Sequence, residues 1–271
     1  MGLQSREVHK LTDYLEAEAQ AREKNLSAFD LELAMAGELF EAAQHAFAAY
    51  PILIDSKAHR AKCSLVLVSM RFYASAIDLC LRGNGAEAMS IMRSPIECLA
   101  YASKLKREPH LVDEWIDLDE KTLKERKELF GSDSQLVREP ETAEAFEMYQ
   151  AYSEFGTHAR FTMAEQATDF SAARGWHLRH AERDSNHVRW AFLGIMFTMR
   201  DLITHAIAPL YLEEPWPTTV TQHLDAFEAR RKALGGQRRA FAEWIKNPQR
   251  PESYDGRIIP ARGLVDVGNR G

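Results

Sequence analysis

The stretch 57–107 constrains the fold of this 271-residue chain more than any other. It contains two long apolar segments that are separated by Gly83-Asn84-Gly85. Glycine and asparagine favour turns, and apolar residues recur along both segments at the three- and four-residue spacing of a helix. The sequence therefore predicts a long antiparallel helical hairpin. Four charged residues lie within its apolar pattern: Arg71, Asp78, Arg93 and Glu97.

These charges predict how the two helices line up. Folding the hairpin about its central turn would bring Arg71 beside Glu97 and would give both arginines a carboxylate within reach. One interpretation is a charge network that fixes helix register, in which removal of one partner of a buried pair costs about 3–5 kcal/mol. The other is a polar pocket. Pro95 leaves two alternatives open, a kinked helix that continues or a helix that restarts at Ser94 with a capping box.

The rest of the chain also reads as helix, so we expect an all-α bundle. Amphipathic patterns cover about 110–130, 140–155 and 185–208, and Pro209 is expected to end or kink the last of these. Residues 156–183 lose the pattern and predict a long irregular segment. The predicted organisation is a single domain 1–247, made of N-terminal helices (1–50), a core bundle (57–213) and a C-terminal helix (218–247), followed by an extended or disordered tail (248–271).

Charge is distributed unevenly along the chain. The net charge is −6, yet from Arg230 to Arg270 there are ten Lys/Arg and four Asp/Glu, so this segment carries about +6 and the remainder about −12. Such a basic segment could contact RNA, an acidic partner or its own acidic body. The protein as a whole is not built to lie on nucleic acid.

Cysteine use and hydropathy indicate a soluble, cytoplasmic protein. The three cysteines, all in the hairpin, are odd in number and lack a C-x-x-C spacing, which argues against a disulfide framework or a structural zinc site. No apolar secretory region follows the N-terminus. Lys62, Arg71 and Asp78 interrupt the first hairpin helix, which is therefore predicted to fall short of a membrane span.

A resemblance to a known family rests on two short motifs. Arg93-Ser94-x-x-Glu97 follows the glycine-bearing turn, and Tyr152-Ser153 and His158 come later. Together they resemble an uncharacterised, mostly bacterial all-helical family with R-S-x-x-E on one helix and a Ser…His element on a later one, over about residues 60–210. That family is similar in architecture to the HEPN group of bundles, many of which are RNases or nucleotide-binding accessory proteins in stress and defence systems. Pro95 departs from the family's usual pattern.

HEPN ribonucleases resemble one another in an R-x(4–6)-H motif, which two stretches here fit. These are Arg174 to His180 and, as the better match, Arg200-Asp201 to His205. The resemblance implies that Arg200 and His205 are catalytic, with histidine as general acid or base and arginine stabilising phosphorane charge. The alternative is a buried ion pair of Arg200 with Asp201 and a histidine packed in the core.

A second constellation predicts a ligand pocket. Polar residues around Tyr149 would face the helix of Arg93 and Glu97 and could hold a small anion or nucleotide, or they could form a polar seam between packed helices. The predicted ligand-binding residues are Arg71, Asp78, Arg93, Glu97, Tyr152, Ser153 and His158. No metal or cofactor is expected, since Glu-x-x-His pairs are absent and the spacing of His177, His180 and His187 is irregular.

Two functions are consistent with these patterns. The first is an RNA-cleaving or nucleotide-binding HEPN-like protein in a stress or defence context. The second is a non-enzymatic interaction or structural module whose Arg/Glu pairs only fix helix register. A homodimer is expected in either case.

Overall fold

The all-α class predicted from the sequence is confirmed. The computed structural model describes residues 11–49, 56–117, 121–156, 168–171, 175–178, 185–212 and 215–233. These residues form helices and one small two-stranded ribbon. A single hydrophobic cluster extends from Phe29 to Phe227. The predicted tail, 248–271, lies outside the described residues.

The long helical hairpin is also confirmed. Helix α3 (Lys57–Leu81) is followed by the short α4 (Gly85–Ile91) and by α5 (Arg93–Arg107). Helix α3 packs along α5. The Ser69 hydroxyl donates to the carbonyl of Leu65 at 2.9 Å and also lies 3.3 Å from the carbonyl of Pro95, which marks the level at which the two helices meet.

The turn of the hairpin is a Schellman C-cap. Gly83 has a φ of 83°, a left-handed conformation that glycine adopts without a Cβ penalty. Its N–H donates to the carbonyl of Cys80, and the N–H of Asn84 donates to that of Leu79, both at 2.9 Å. These two bonds satisfy carbonyls that the end of α3 would leave unpaired.

The helix is interrupted just before Pro95. Met92 separates α4 from α5 and keeps a right-handed conformation, with φ −69° and ψ −7°. The restart therefore falls at Arg93, one residue before the predicted Ser94, and the structure shows no side-chain cap at this start. Proline has no N–H to donate to the preceding turn, which accounts for the interruption of the helical hydrogen-bond pattern one turn before Pro95.

The other helices surround the hairpin. Two N-terminal helices precede it, α1 (Leu11–Ala28) and α2 (Asp30–Ala48). After it come α6 (Val112–Ile116), α7 (Leu123–Phe130), α8 (Asp133–Leu136) and α9 (Phe146–Gly156). The single helix predicted for 110–130 is thus split. Within the stretch predicted to be irregular, β1 (Thr168–Ser171) and β2 (Gly175–Leu178) pair antiparallel.

The longest buried helical segment contains a π-helical turn. Helix α10 (Ser185–Leu202) continues through a π-helical segment (Ile203–Ile207) into α11 (Ala208–Tyr211). Pro209 would clash with the carbonyl one turn back and cannot donate to it. Widening the preceding turn relieves this conflict. Pro209 was predicted to end or kink the helix; in the structure the helix is distorted before Pro209 and continues to Tyr211.

Two helical segments have the length and composition of a membrane span, Lys57–Leu81 and Val188–Tyr211. The prediction that the first falls short is wrong by these criteria. In the most apolar window of each segment, 50% and 83% of the residues, respectively, are buried inside the bundle. A buried core helix of a soluble protein has the same composition.

The last described helix, α12 (Thr218–Ala233), packs on α2. The helix predicted to run to residue 247 extends beyond the described residues.

Candidate functional site

Asp78 of α3 and Arg82, the residue that follows α3, contact the first helix of the chain, and Arg82 does so through its Nη1, 3.7 Å from Glu18. The Arg22 Nε donates to Asp78 at 2.8 Å, and the Arg82 Nε donates to the same carboxylate at 2.7 Å. Burial alone would raise the pKa of Asp78, but the hydrogen bonds from the two arginines outweigh it and lower that pKa. Asp78 is therefore an anion held between two cations.

Further polar contacts dock α1 on the hairpin turn. The carboxamide of Asn84 donates to Glu18 at 2.6 Å, and that of Asn25 donates to the carbonyl of Leu81 at 2.9 Å. Within α1 the buried residues are Glu18 and Asn25. Burial, followed by a hydrogen bond with Glu18, raises the pKa of Tyr14 to about 12.

Sequence reasoning missed these α1 contacts. Glu18, Arg22 and Asn25 recur at a spacing of four and three residues, which places them on one face of the helix. This polar stripe is the sequence pattern from which the docking face of α1 could have been predicted. The apolar residues of α1 are a poorer guide to its docking face, since Leu11 and Leu15 are 73% and 51% exposed.

An open cleft of about 590 Å³ lies where α1 meets α3. Two of the predicted ligand-binding residues, Arg71 and Asp78, line it. The remaining lining residues are Glu18, Ala74, Ser75, Leu79 and Arg82. Arg71 is exposed and forms no hydrogen bond or ion pair with any residue that the structure describes.

The predicted pairing of Arg71 with Glu97 is wrong. Ser69 faces α5 through its bond to Pro95, and Arg71 lies two residues further, about 200° around the helix. Arg71 consequently points away from α5 and into the cleft. The prediction of which levels of the two helices meet was nearly right. The error lay in the helix face, since Arg71 is on a face of α3 that does not meet α5.

Arg93 and Glu97 form a closed triangle with Tyr149 of α9. The Arg93 Nη2 donates to Glu97 at 2.9 Å and to the Tyr149 hydroxyl at 2.8 Å, and that hydroxyl donates to Glu97 at 2.9 Å. The guanidinium also lies over the Tyr149 ring, 4.9 Å from its centroid. Burial and then the Glu97 charge raise the pKa of Tyr149 to about 12, so its hydroxyl stays protonated and donates.

The other predicted members of this pocket bond elsewhere. The buried Tyr152 hydroxyl lies 2.7 Å from the Thr198 hydroxyl. The Ser153 hydroxyl donates to the backbone carbonyl of Tyr149 at 2.8 Å. His158 lies outside the described residues. The structure thus brings Tyr149 to the Arg93–Glu97 pair, while the hydroxyls of the Tyr152-Ser153 motif are bonded to other groups.

Arg200 and His205 occupy different environments. The Arg200 Nη1 donates to Asp201 at 2.8 Å, and its Nε lies 3.5 Å from Glu228 of α12. The predicted ion pair is therefore present, with an arginine side chain that is 31% exposed. His205 lies in the π-helical segment and is exposed, so the interpretation as a core histidine is wrong. Arg174 and His180 lie outside the described residues.

Metal-ligating side chains are dispersed among the described residues. No cluster of three or more His, Cys, Asp or Glu in that part of the chain could hold a metal ion. The side chains of His177, His180 and His187 lie outside it.

Comparison of the chain with protein-family models, with curated proteins and with solved structures finds no match in any of the three. The HEPN-like resemblance stays a prediction from the motifs quoted above.

Proposed function

We propose that the protein is a non-catalytic binding module that takes a nucleotide in the α1–α3 cleft. The observation that supports this proposal is Arg71, an exposed guanidinium in a cleft where it has no partner among the described residues. A guanidinium presents a planar fork of donors that suits phosphate oxygens. The cleft volume, about 590 Å³, lies within the range of about 300–1,000 Å³ that is usual for small-ligand sites.

The charged residues that line the cleft are two arginines, Arg71 and Arg82, and two carboxylates, Glu18 and Asp78. Asp78 is paired with Arg22 and Arg82, and Glu18 accepts from Asn84. Both carboxylates therefore have partners, and Arg71 is the lining cation that is left to bind an anion. Ser75 lies one turn from Arg71 on the same face of α3 and offers a hydroxyl to the same phosphate.

Titration of the full chain with a fluorescent ATP analogue, competed by AMP and by unlabelled ATP, tests the proposal. We expect Arg71→Ala to weaken binding by about tenfold or more, because a hydrogen bond to a charged group is worth about 1.5–3 kcal/mol. Arg60→Ala is the matched control, since Arg60 is another exposed arginine of α3, about 16 Å away along the helix. Equal binding by wild type and Arg71→Ala would reject the site.

RNA cleavage at Arg200 and His205 is the second candidate function. The observation that favours it is the exposed imidazole of His205 on a π-helical turn, a distortion that frequently marks functional sites. We expect His205→Ala to abolish cleavage of a labelled RNA, with His110→Ala, an exposed histidine elsewhere, as control. RNA that wild type leaves intact would remove this candidate and would not affect the nucleotide site.

The Arg93–Glu97 pair is best explained by its role in helix register. The Arg93 Nη2, the Glu97 carboxylate and the Tyr149 hydroxyl bond one another, whereas the buried Nε of Arg93 has no hydrogen-bond partner among the described residues. An interaction module of this kind needs no catalytic groups.

The proposal also includes a homodimer, a cytoplasmic location and a relationship to HEPN proteins. Light scattering of the purified chain, whose mass is 30.8 kDa per copy, tests the dimer.

A further inference from the structure

Cys63 on α3 forms a pair with a histidine. Its Sγ lies 3.3 Å from the Nε2 of His59, one helical turn earlier. Cys63 is half-buried and is not in a disulfide. A cysteine beside a histidine has the arrangement that converts a thiol into a nucleophile, because the imidazole can take the thiol proton.

His59 is suited to accept that proton. Its side chain is buried, and its residue is 5% exposed. Burial and then the charge of Lys62 lower the pKa of His59, so the ring is neutral at pH 7. The helix start fixes its position, since its backbone N–H donates to Ser56 at 3.2 Å.

The thiol has one cationic neighbour, Lys62, and one hydroxyl neighbour, Tyr211 of α11, whose side chain also interacts with Cys63. The ammonium of Lys62 interacts electrostatically with Cys63 and with Lys106 of α5. Lys106 is itself held in place by a hydrogen bond to the carbonyl of Pro209. Nearby positive charge stabilises a thiolate, and reactive cysteines are found in electropositive, partly exposed surroundings of this type.

The other two cysteines lack these features. Cys80 is fully buried. For Cys98, burial and then the Glu97 carboxylate raise the pKa to about 11, which disfavours the thiolate at neutral pH. The chain therefore contains its own controls for the reactivity of Cys63.

We propose that Cys63 is a reactive thiol that undergoes thiol–disulfide exchange with small anionic disulfides. His59 accepts the thiol proton, and the Cys63 sulfur attacks one sulfur of the disulfide. The new sulfur–sulfur bond forms as the old one breaks, and the released thiolate takes the proton from His59. Lys62 and Lys106 attract the anionic reagent. This site is independent of the nucleotide cleft.

The first test uses the folded full-length chain and Ellman's reagent, a dianionic aromatic disulfide. We expect one equivalent to react in a fast phase, and peptide mass mapping should locate the label on Cys63. Cys63→Ser should remove that phase. Preferential labelling of Cys80 or Cys98, or equal rates at all three cysteines, would overturn the proposal without any variant being needed.

The second test separates the roles of the neighbours. We expect His59→Gln to slow labelling of Cys63 by about a hundredfold or more, the lower end of the range for general-base assistance. Lys62→Gln should slow Ellman's reagent more than the neutral 4,4′-dithiodipyridine. If His59→Gln fails to fold, the wild-type pH–rate profile decides, because a rate that follows only an ordinary thiol titration near pH 8.5 contradicts assistance by His59.

Discussion

At the scale of single residues, a charge on the hairpin finds its partner according to the face of the helix that it occupies. Arg93 and Glu97, one turn apart on α5, bind each other and Tyr149. Asp78 binds Arg22, which is 56 residues away in the chain. Arg71, about two turns before Asp78 on α3, lines the cleft. One arginine, Arg93, thus holds helices together, and another, Arg71, is available to a ligand.

Removal of the Glu97 carboxylate should destabilise the protein moderately. We expect Glu97→Ala to lower the free energy of unfolding by about 1–2 kcal/mol, because both Arg93 and the Tyr149 hydroxyl lose an acceptor. The value stays below that of a fully buried pair since the two side chains are 29% and 23% exposed. Urea unfolding measures it.

Glu108→Ala provides the control for this substitution. Glu108 forms the same type of one-turn pair with Lys104 but is 40% exposed, so its loss should change stability by about 0.5 kcal/mol or less. If Glu97→Ala were no more destabilising than Glu108→Ala, the triangle with Tyr149 would not stabilise the bundle.

At the scale of elements, the docking of α1 is held by polar contacts. Its buried residues are Glu18 and Asn25, and the Arg22–Asp78 pair is partly exposed. Burial of apolar area is the main source of stability for most helices. A helix that relies on ion pairs and hydrogen bonds should open locally before the core does.

Salt should therefore loosen α1 selectively. We expect its amides to exchange with deuterium faster than those of α10, and addition of about 1 M NaCl to increase the difference, because the Debye length falls to about 3 Å. Hydrogen-exchange mass spectrometry measures both helices in one sample. Equal protection of α1 and α10 in high salt would contradict electrostatic docking.

Helix α12 should respond to pH through Glu38 of α2. His223 of α12 lies 2.8 Å from Glu38, Arg230 lies 2.6 Å from it, and His45 stacks on His223 with centroids 5.2 Å apart. The hydrogen bond from His223, with the charge of Arg230, lowers the pKa of Glu38. The ionised Glu38 carboxylate therefore stabilises the fold above the pKa that this group has in the unfolded chain. This stabilisation is lost as the pH falls through the lower pKa that Glu38 has in the folded protein.

Melting temperatures of wild type and Glu38→Gln between about pH 3 and 7 test this prediction. Glutamine keeps a hydrogen-bond acceptor but cannot ionise. We expect wild type to be the more stable protein at neutral pH and the difference to shrink toward pH 3. A constant difference across this range would show that the ionisation of Glu38 does not contribute.

At the scale of the whole molecule, one hydrophobic cluster joins α2, the hairpin, α10 and α12. A domain with a single contiguous core usually unfolds cooperatively. We expect one calorimetric transition for this core, with equal calorimetric and van't Hoff enthalpies. Two resolved transitions would show that the N-terminal and C-terminal helices fold separately.

Much of the fold followed from local patterns. Helical periodicity and the glycines at 83 and 85 predicted the hairpin, because apolar spacing and left-handed turn preference are properties of neighbouring residues. Pro209 marked the distortion of α10 for the same reason. The split of the 110–130 helix and the ribbon at 168–178 were not predicted, since weak local preferences are overridden by packing.

The sequence by itself determined which residues share a helix face, that the chain is all-α, and that charges lie within its most apolar stretch. The tertiary structure alone decided which remote element covers each face: α5 covers the Ser69 face of α3, and α1 reaches Asp78. Neither helix bonds Arg71, which has no partner among the residues that the structure describes. Periodicity fixes angles around one helix axis, whereas contacts between distant helices depend on how all of them pack together. The hairpin was therefore predictable, and the cleft beside it was not.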